Sequence, residues 1–376
     1  MDKRKLHLYI TAGVLATLMV GFCLAHLLIP DKALSERENR ALQTLPAPTL
    51  STVTDGRFES DFADYWNDQF PLRQQWIYFK TGAERLLGKS ESGGVFLGQE
   101  GQLFKRFTAP TEETFEQSIA CLAELKKRVG ETPVYLLISP TAAAVYPERL
   151  PFACNSDDQD IYLDRLYREA SGAGLRAVDV RKTFAKMRAQ NVLFYATDHH
   201  WTGAGALAAF ECYAAAANLE TGETEYERLL VSDSFVGTLA ATYGYPAAGE
   251  EITVVRPKDS PAVVVTYPDS GDKRFSLFDT DKLATHDQYA LFMGGNFPTV
   301  QIRTSVKNGE RLLILKDSYA NSVLPMLVAH YERITLVDPR YYRGDLYELI
   351  ESGYFDEILI LGNADTFAET DLSLFQ

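Results

Sequence analysis

The sequence predicts an α/β protein in which helices flank both faces of a parallel sheet, preceded by an N-terminal membrane helix. Three short apolar runs near the C-terminus, at residues 312–315, 334–337 and 358–361, are separated by amphipathic segments. A similar alternation of apolar runs and helical patterns begins near residue 114. Strands that alternate with helices indicate βαβ units and therefore a parallel sheet. One long apolar run, at residues 6–29, predicts the membrane helix.

The N-terminal apolar run contains 24 residues without Asp, Glu, Lys or Arg, and it follows Lys3, Arg4 and Lys5. About 20 apolar residues suffice to cross a bilayer. Because basic flanks stay in the cytoplasm, we expect a single-pass protein of the cell membrane with the rest of the chain outside the cytoplasm. A cleaved signal peptide is the alternative, since residues 23–25 form a small-x-Ala site. The apolar run continues beyond that site, which favours an anchor.

The region after the apolar run predicts a linker followed by helices. Residues 31–51 are polar and contain Pro46 and Pro48, as is typical of a juxtamembrane linker. An aromatic stripe at helical spacing then indicates the packed face of a helix, formed by Phe58, Phe62, Tyr65, Trp66 and Phe70. We therefore predict a transmembrane anchor at 1–29, a linker and N-terminal helical region at 30–110, and an α/β domain at 111–376 with an irregular or β-rich insertion at about 219–306.

The first part of the α/β domain has a regular pattern. We expect a helix at 114–128, a buried strand at 134–138, a helix at 161–171 and a strand at 175–180. Scattered Pro, Gly and Asp residues break this pattern inside the predicted insertion.

Composition limits the class of protein. At 376 residues, 46% of them hydrophobic, the chain can bury a large core. The formal net charge of −14 argues against nucleic-acid binding, which needs clustered Lys and Arg. The same charge repels anionic polymers unless a local basic groove offsets it. Beyond the membrane run the cysteines are Cys121, Cys154 and Cys212, so at most one disulfide bridge can form, and buried free thiols are the alternative.

Polar residues follow each of the three C-terminal apolar runs. Ser318 comes after the first run, Asp338 after the second and Asn363 after the third. Because ligands bind beyond the carboxyl ends of parallel strands, these side chains should meet at one edge of the sheet. Ser318 also precedes a helix predicted at 319–330, whose N-terminal amides can stabilise an oxyanion. Helix capping is the simpler role for this serine.

An acid and two imidazoles lie together at Asp198, His199 and His200. They directly precede a helix of small residues predicted at 203–218, with Thr202 as its cap. Nucleophilic serine chemistry needs an imidazole to accept the hydroxyl proton and a carboxylate to orient that imidazole. Asp198 and His200 supply this pair of groups. Hydrogen bonds to the local backbone are the alternative role.

The same three side chains are also ligand types of zinc and manganese sites. Outside the membrane run the only further histidines are His286 and His330, and no HExxH motif occurs. We therefore expect neither a metal nor another cofactor.

These two groups of residues resemble the motifs of a known family. Residues 197–201, Thr-Asp-His-His-Trp, resemble the namesake motif of the DHHW family, and residues 315–322 resemble its second block. Both are similar to the Asp-x-His-Trp and serine blocks of alginate O-acetyltransferases with an SGNH-like domain. The resemblance extends from about residue 34 to the end, through further blocks in the expected order at residues 36–40, 68–73, 146–151, 293–298 and 337–342.

The resemblance implies an SGNH-hydrolase-like domain in which Ser318 is the nucleophile, His200 the base and Asp198 its orienting partner. The order Asp, His, Ser is permuted relative to ordinary SGNH esterases, in which the serine comes first. The resemblance also implies that Asn363 stabilises the oxyanion together with the Ser318 amide. Secondary candidates, because they lie in the same two motifs, are His199, Trp201 and Tyr319.

The implied function is that of an extracytoplasmic O-acetyltransferase, or acetylesterase, acting through a serine acyl-enzyme intermediate. The acceptor would be a glycan of the cell envelope or an exopolysaccharide. The acetyl donor would be supplied by a partner, a membrane-bound O-acyltransferase. The alternative is a catalytically inactive component that binds carbohydrate or acts as a scaffold within a polysaccharide-modifying complex.

The topology can be tested directly. A reporter that is active only in the cytoplasm, fused after Gln376, should give no signal, because the basic residues precede the only long apolar run. Reporter activity equal to that of a cytoplasmic control fusion would refute the single-span orientation.

Overall fold

The computed structural model describes residues 3–35, 40–152, 154–222, 224–244 and 246–375. The chain divides into two compact units, Met1–Lys89 with Gly244–Pro246, and Ser90–Tyr243 with Ala247–Gln376. Residues 36–39, which carry most of the block at 36–40, lie outside the described residues.

The first unit is mainly helical. Its elements are α1 (Lys3–Leu28), α2 (Leu50–Thr54), α3 (Arg57–Asp68), α4 (Arg73–Leu86) and the two short strands β1 (Leu34–Ser35) and β2 (Arg40–Ala41). In the described part of the chain, α1 is the helix long and apolar enough to cross a membrane, over Arg4–Leu28. Its 26 residues extend about 39 Å, against a hydrocarbon core of about 30 Å. This helix fits the predicted membrane anchor.

The predicted aromatic stripe packs against the end of α1. The ring of Trp66 on α3 lies 4.2 Å from that of His26, and Phe70 stacks on Phe22 with 5.4 Å between the ring centroids. The next helix, α4, leaves an apolar stripe exposed on one face, formed by Leu72 just before it and then Trp76, Phe79 and Leu86. Trp76 also contacts Phe22, at 5.9 Å between centroids. The exposed stripe of α4 is therefore continuous with the apolar surface of α1.

The second unit contains the α/β domain. Its strands are β3 (Glu91–Ser92), β4 (Val95–Leu97), β5 (Leu103–Lys105), β6 (Val134–Ser139), β7 (Arg176–Ala177), β8 (Tyr226–Phe235), β9 (Glu250–Pro257), β10 (Val263–Tyr267), β11 (Asp272–Arg274), β12 (Thr299–Thr304), β13 (Arg311–Lys316), β14 (Arg333–Val337) and β15 (Glu357–Asn363). Its α-helices are α5 (Glu112–Val129), α6 (Ala142–Val145), α7 (Gln159–Gly172), α8 (Arg181–Met187), α9 (Gly203–Ala217), α10 (Thr238–Tyr243), α11 (Leu324–Leu327), α12 (Leu346–Gly353) and α13 (Ala364–Glu369).

A central sheet of eight strands has the order β11-β10-β12-β14-β13-β15-β6-β7. The five strands from β14 to β7 are mutually parallel, whereas β12, β10 and β11 add to one side in antiparallel pairs. The three C-terminal apolar runs form β13, β14 and β15, with β13 between the other two. The prediction that these runs are neighbours in one parallel sheet is confirmed.

Apart from the amino ends of β13 and β14, the strands β13, β14, β15 and β6 are buried on both faces over most of their length, which explains why they are largely apolar. Leu312 and Ile314 of β13 join the core that contains residues of α9. Leu313 and Leu315 point to the other face and join the core that contains residues of α5 and α7. Burial of each such side chain contributes about 1.5–3 kcal/mol, so β13 is a rigid support for whatever follows it.

Two predicted elements differ in the structure. The helix expected at 319–330 is instead a 3₁₀ turn over Ser318–Ser322 followed by the single turn of α11. Pro325 explains the break, since proline inside a continuous helix lacks the N–H for the bond to residue 321 and clashes with the preceding turn. The strand expected at 175–180 shortens to Arg176–Ala177 at the edge of the sheet.

The segment predicted as an irregular or β-rich insertion supplies the antiparallel pair β8–β9 and the strands β10, β11 and β12, which extend the central sheet. The second compact unit begins at Ser90. Phe96 of β4 and Phe104 of β5 are buried in the main core, which ties this segment to the α/β domain. Among the described residues, Cys121, Cys154 and Cys212 form no disulfide bridge with one another.

Candidate active site

A chain of hydrogen bonds joins Asp198, His200 and Ser318. The Nε2 atom of His200 lies 2.7 Å from Oγ of Ser318, and its Nδ1 atom lies 2.5 Å from Oδ1 of Asp198. All three side chains are buried, with at most 8% of each residue exposed. The structure therefore brings together the carboxylate, imidazole and hydroxyl groups that the sequence predicted.

The turn carrying Asp198 and His200 is closed at its base and held along its length. An isolated antiparallel bridge pairs Phe194 with Trp201. The carboxylate of Glu250 on β9 accepts the backbone N–H groups of Ala196 and Thr197, at 2.8 and 2.7 Å. These bonds fix the backbone immediately before Asp198.

Asp198 is held on both carboxylate oxygens. Oδ1 accepts the backbone N–H of His200 as well as its ring, and Oδ2 accepts the backbone N–H and the hydroxyl of Thr238, at 2.8 and 3.0 Å. Burial raises the pKa of this carboxyl, but the imidazoles of His199 and His200 and these hydrogen bonds outweigh burial and hold the pKa well below its usual range. Asp198 is therefore ionised at neutral pH.

The imidazole of His200 is fixed in orientation by an aromatic ring. Tyr289 stacks on it with 3.7 Å between ring centroids and 12° between ring planes. The Tyr289 hydroxyl donates to Oγ of Ser322 at 3.0 Å, and the indole N–H of Trp201 donates to the same oxygen at 2.8 Å. Ser322 Oγ thus accepts hydrogen bonds from both Tyr289 and Trp201.

Ser318 follows the end of β13 and begins the 3₁₀ turn. Asp317 caps this turn, since its Oδ1 accepts the backbone N–H of Tyr319 at 2.8 Å. Its Oδ2 accepts the backbone N–H and the side-chain amide of Asn363 at the end of β15, at 2.9 and 2.7 Å. Asp317 therefore connects two neighbouring strands directly beside the serine.

The side chain of Asn363, the predicted oxyanion donor, is hydrogen-bonded within the protein. One amide hydrogen of its side chain goes to Asp317 and the other to the Thr366 hydroxyl at 2.9 Å. Its Oδ1 atom caps α13. Both side-chain donor hydrogens of Asn363 are thus engaged within the protein, and Asn363 contacts Asp317, the residue before Ser318. The backbone N–H of Ser318 has no acceptor among the described residues.

The ring of His199 contacts Thr238 and the ring of His200. Its Nδ1 atom lies 3.0 Å from the Thr238 hydroxyl, and its side chain is one-third exposed. Partial burial, together with the nearby imidazole of His200, lowers the pKa of His199. Its backbone carbonyl accepts a hydrogen bond from the Tyr319 hydroxyl. The two adjacent imidazoles lie 3.9 Å apart between ring centroids, and His200 is the one within hydrogen-bond distance of Ser318.

Asp198, His199 and His200 are also close enough together to offer ligand atoms to a metal ion. Both ring nitrogens of His200 are engaged, one by Asp198 and the other by Ser318. Both carboxylate oxygens of Asp198 accept hydrogen bonds, one from His200 and the other from Thr238. A metal at this position would have to break the hydrogen bonds that align Ser318.

A buried lysine organises the neighbouring loop. The Nζ atom of Lys316 lies 2.8 Å from Oδ1 of Asn296 and 2.9 Å from Oδ1 of Asn321, and 3.8 Å from the carboxylate of Asp338. Arg340 pairs with the same carboxylate at 2.6 Å. Burial lowers the pKa of Lys316 to about 8. The blocks at 293–298, 315–322 and 337–342, which are distant in sequence, therefore meet at this lysine.

Sequence reasoning missed Thr238, Glu250 and Tyr289. All three lie in the predicted insertion, and they reach the motif across 40 or more residues, as the bonds from Thr238 and to Glu250 show. No short motif marks them, because their roles depend on tertiary contacts alone.

A family comparison matches residues 95–286 to the SGNH hydrolase-like domain of the acetyltransferase AlgX. The match covers just over half of the chain. The chain belongs to this family. The matched segment includes the Asp198–His200 motif and ends before Ser318.

Curated relatives include probable alginate O-acetylases AlgJ. The protein is 23% identical over 186 residues to the one from Pseudomonas putida, which covers 48% of each chain. It is 25% identical over 178 residues to the one from Pseudomonas aeruginosa, which covers 44% of each chain. The chain thus spans about half the length of the curated relatives it matches.

Solved structures share the fold. A DHHW family protein from Eubacterium siraeum superposes with a TM-score of 0.61 at 20% identity, over 76% of this chain and 95% of that one. The structure of Bacillus cereus PatB1 with a sulfonyl adduct superposes with a TM-score of 0.60 at 19% identity, over 75% of this chain and 98% of that one. Together with the family match, these neighbours confirm the SGNH-like α/β fold that the sequence predicted.

Gly237 makes room for the carboxylate of the site. A Cβ atom at this position would lie 2.2 Å from Cβ of Asp198 and 2.4 Å from its Oδ2. We expect Gly237→Ala to lower the melting temperature and to reduce turnover of a model acetyl ester at least about tenfold, because a displaced carboxylate orients His200 poorly. Gly172→Ala at the end of α7 meets nothing within 4 Å, so it should not lower the melting temperature and should leave turnover unchanged. If the two variants had the same melting temperature and the same turnover, the close packing of Gly237 against Asp198 would be contradicted.

Lys316 should make stability depend on pH. Its pKa in the folded protein is about 8, whereas an unfolded lysine titrates near pH 10.4. Between these values the unfolded chain binds a proton that the folded chain does not, so this group makes stability rise with pH, by at most about 1.4 kcal/mol per unit. Chemical denaturation at pH 8 and 9.5 should show this rise in the wild type relative to Lys316→Met. A constant difference between the two proteins would mean that Lys316 does not titrate in this range.

Proposed function

We propose that this protein is an O-acetyltransferase, or acetylesterase, in which Ser318 carries the acetyl group. The observation that carries the proposal is the buried contact of 2.7 Å between His200 Nε2 and Ser318 Oγ, with Asp198 bonded to the opposite ring nitrogen. Membership of the AlgX family supports acetyl transfer as the reaction.

The proposed reaction has two steps. His200 accepts the Ser318 proton while Oγ attacks the carbonyl carbon of the acetyl donor. The resulting oxyanion collapses, and the departing oxygen of the donor takes the proton from His200, which leaves acetyl-Ser318. An acceptor hydroxyl then gives its proton to His200 and attacks the acetyl carbon. The bond between that carbon and Ser318 Oγ breaks, Oγ takes the proton back from His200, and the new ester is released. Water in place of the acceptor gives hydrolysis.

Two groups stabilise the charges that develop during the proposed reaction. Asp198, which stays ionised, stabilises the imidazolium form of His200 and selects its tautomer. The Ser318 backbone N–H, which lacks an acceptor in the described structure, is our candidate donor to the oxyanion. Asn363 contributes by holding Asp317, which caps the turn that carries this N–H.

The setting that we propose is the extracytoplasmic side of the cell membrane. The apolar helix α1 supports a single-pass anchor, and the exposed stripe of α4 beside it offers a further apolar surface to lipid. The names of the AlgJ relatives support a polysaccharide acceptor, here a glycan of the cell envelope or an exopolysaccharide. We propose that a membrane-bound O-acyltransferase supplies the acetyl groups.

The acyl-enzyme can be trapped. Full-length protein in detergent, incubated with an activated acetyl ester, should gain the mass of one acetyl group on the peptide that contains Ser318. Ser318→Ala should lose the adduct, and turnover should fall by several orders of magnitude, because the members of such a triad act as a unit. An adduct that persists on the same peptide in Ser318→Ala would overturn the assignment.

The adjacent histidines provide a matched control for this experiment. His200→Ala and Asp198→Asn should be nearly inactive, the latter because asparagine favours the wrong imidazole tautomer. His199→Ala should retain most of the turnover, since its ring contacts Thr238 and not Ser318. If His199→Ala were inactive and His200→Ala active, the role of general base would belong to His199 instead of His200. Loss of activity on addition of a chelator would favour a metal mechanism.

A further inference from the structure

Three arginines lie side by side across neighbouring strands of the central sheet. Arg333 on β14 pairs in register with Arg311 on β13 and with Arg303 on β12. We call these three residues the arginine row. Neighbouring strands are about 4.8 Å apart, so the row spans about 10 Å at the level of the backbone.

The arginine row occupies the open face of the sheet. Leu312, Ile334 and Ile302, which alternate with the arginines along the strands, point to the opposite face and are buried in the main core. On the open face the row lines a groove of about 510 Å³. The groove continues along the next row of the sheet, whose side chains include Thr335, Gln301, Thr266 and Lys273.

The basic side chains of this groove lack ion-pair partners among the described residues. No described Asp or Glu is part of its lining. Within the described ranges, no carboxylate forms an ion pair with Lys273 or with any arginine of the row. The Arg311 guanidinium donates only to the Gly353 carbonyl, at 3.1 Å. The nearby Glu332 is within ion-pair distance of Lys307, and Asp356 accepts the backbone N–H of Arg311.

Such an arrangement is unfavourable in the isolated protein. Like charges directly opposite each other on neighbouring strands are destabilising, and here three occur in succession. Their concentration is also unusual for a chain whose formal net charge is −14. Oligoanion binding would relieve this repulsion and explain why the charges are grouped.

We propose that the arginine row and Lys273 bind an acidic polysaccharide through its carboxylate or phosphate groups. Arginine presents a planar fork of donors that matches either anion. The amide of Gln301 and the hydroxyls of Thr266 and Thr335 supply groups that bond to sugar hydroxyls. The ring of Phe355, also in the lining, offers an apolar face for a sugar ring. The groove thus offsets the repulsion that the acidic protein exerts on an anionic polymer.

This groove is separate from the catalytic groups. Arg311 begins β13, whereas Ser318 follows its opposite end, and the rise of about 3.3 Å per strand residue places them about 20 Å apart. Binding of the polymer does not depend on the chemistry at Ser318. Its identity as the acetyl acceptor rests on the proposed function.

A binding experiment tests the groove. Full-length protein in detergent is titrated with oligogalacturonate, with phosphomannan and with neutral dextran of similar length. At least one of the acidic glycans should bind, more weakly at higher salt, and dextran should not. The double variant Arg303→Gln/Arg333→Gln should raise the Kd of that glycan about tenfold, since it removes two ionic contacts. Oligogalacturonate binding assigns carboxylates as the recognised groups, and phosphomannan binding assigns phosphates.

Two controls separate this proposal from effects on folding and catalysis. Arg228→Gln changes an exposed arginine of β8 that forms no ion pair within the described residues, and it should leave the Kd unchanged. The double variant should melt no lower than the wild type, because it removes like-charge repulsion, and it should hydrolyse a small acetyl ester normally. Ser318→Ala should bind the acidic glycan like the wild type. If the double variant binds as tightly as the wild type, or neither acidic glycan binds, the proposal is wrong.

Discussion

The hydrogen bond between His200 and Ser318 is the contact around which the site is assembled, because it joins segments that lie 118 residues apart. Neither segment can reach this position alone. The histidine depends on a turn fixed by Glu250 and Thr238, and the serine depends on a turn capped by Asp317. A shift of about 1 Å in either turn would break the alignment that acyl transfer needs. Much of the surrounding polar structure therefore serves to position two side chains.

The fold was largely predictable from the sequence because its central strands are buried on both faces. Continuous apolar runs identify such strands, and the residues at their carboxyl ends are neighbours by topology. This reasoning places Ser318 and Asn363 at one edge of the sheet. The same reasoning does not predict which partners these side chains bond to. The side-chain amide of Asn363 donates to Asp317 and to Thr366, and this choice of partners depends on side-chain geometry rather than on position in the chain.

The irregular segment at 219–306 shows where sequence reasoning ends. Its strands join the central sheet in antiparallel pairs, and no apolar periodicity distinguishes this outcome from a separate subdomain. The same segment supplies Thr238, Glu250 and Tyr289 to the site. These residues orient groups that the motif identifies, but they form no motif themselves. Sequence patterns reveal the reacting groups more readily than the groups that hold them.

The strand β13 links the site that we propose for acetyl transfer to the groove that we propose for polymer binding. Its carboxyl end leads to the buried Ser318, and its amino end begins with Arg311, which lines the groove. A net charge of −14 would otherwise keep such a chain away. Because the strand between the two regions is rigid and fully packed, polymer binding and acetyl chemistry can be optimised independently. An acceptor held about 20 Å from the serine would have to be long, which favours a polymer over a free sugar as the acceptor.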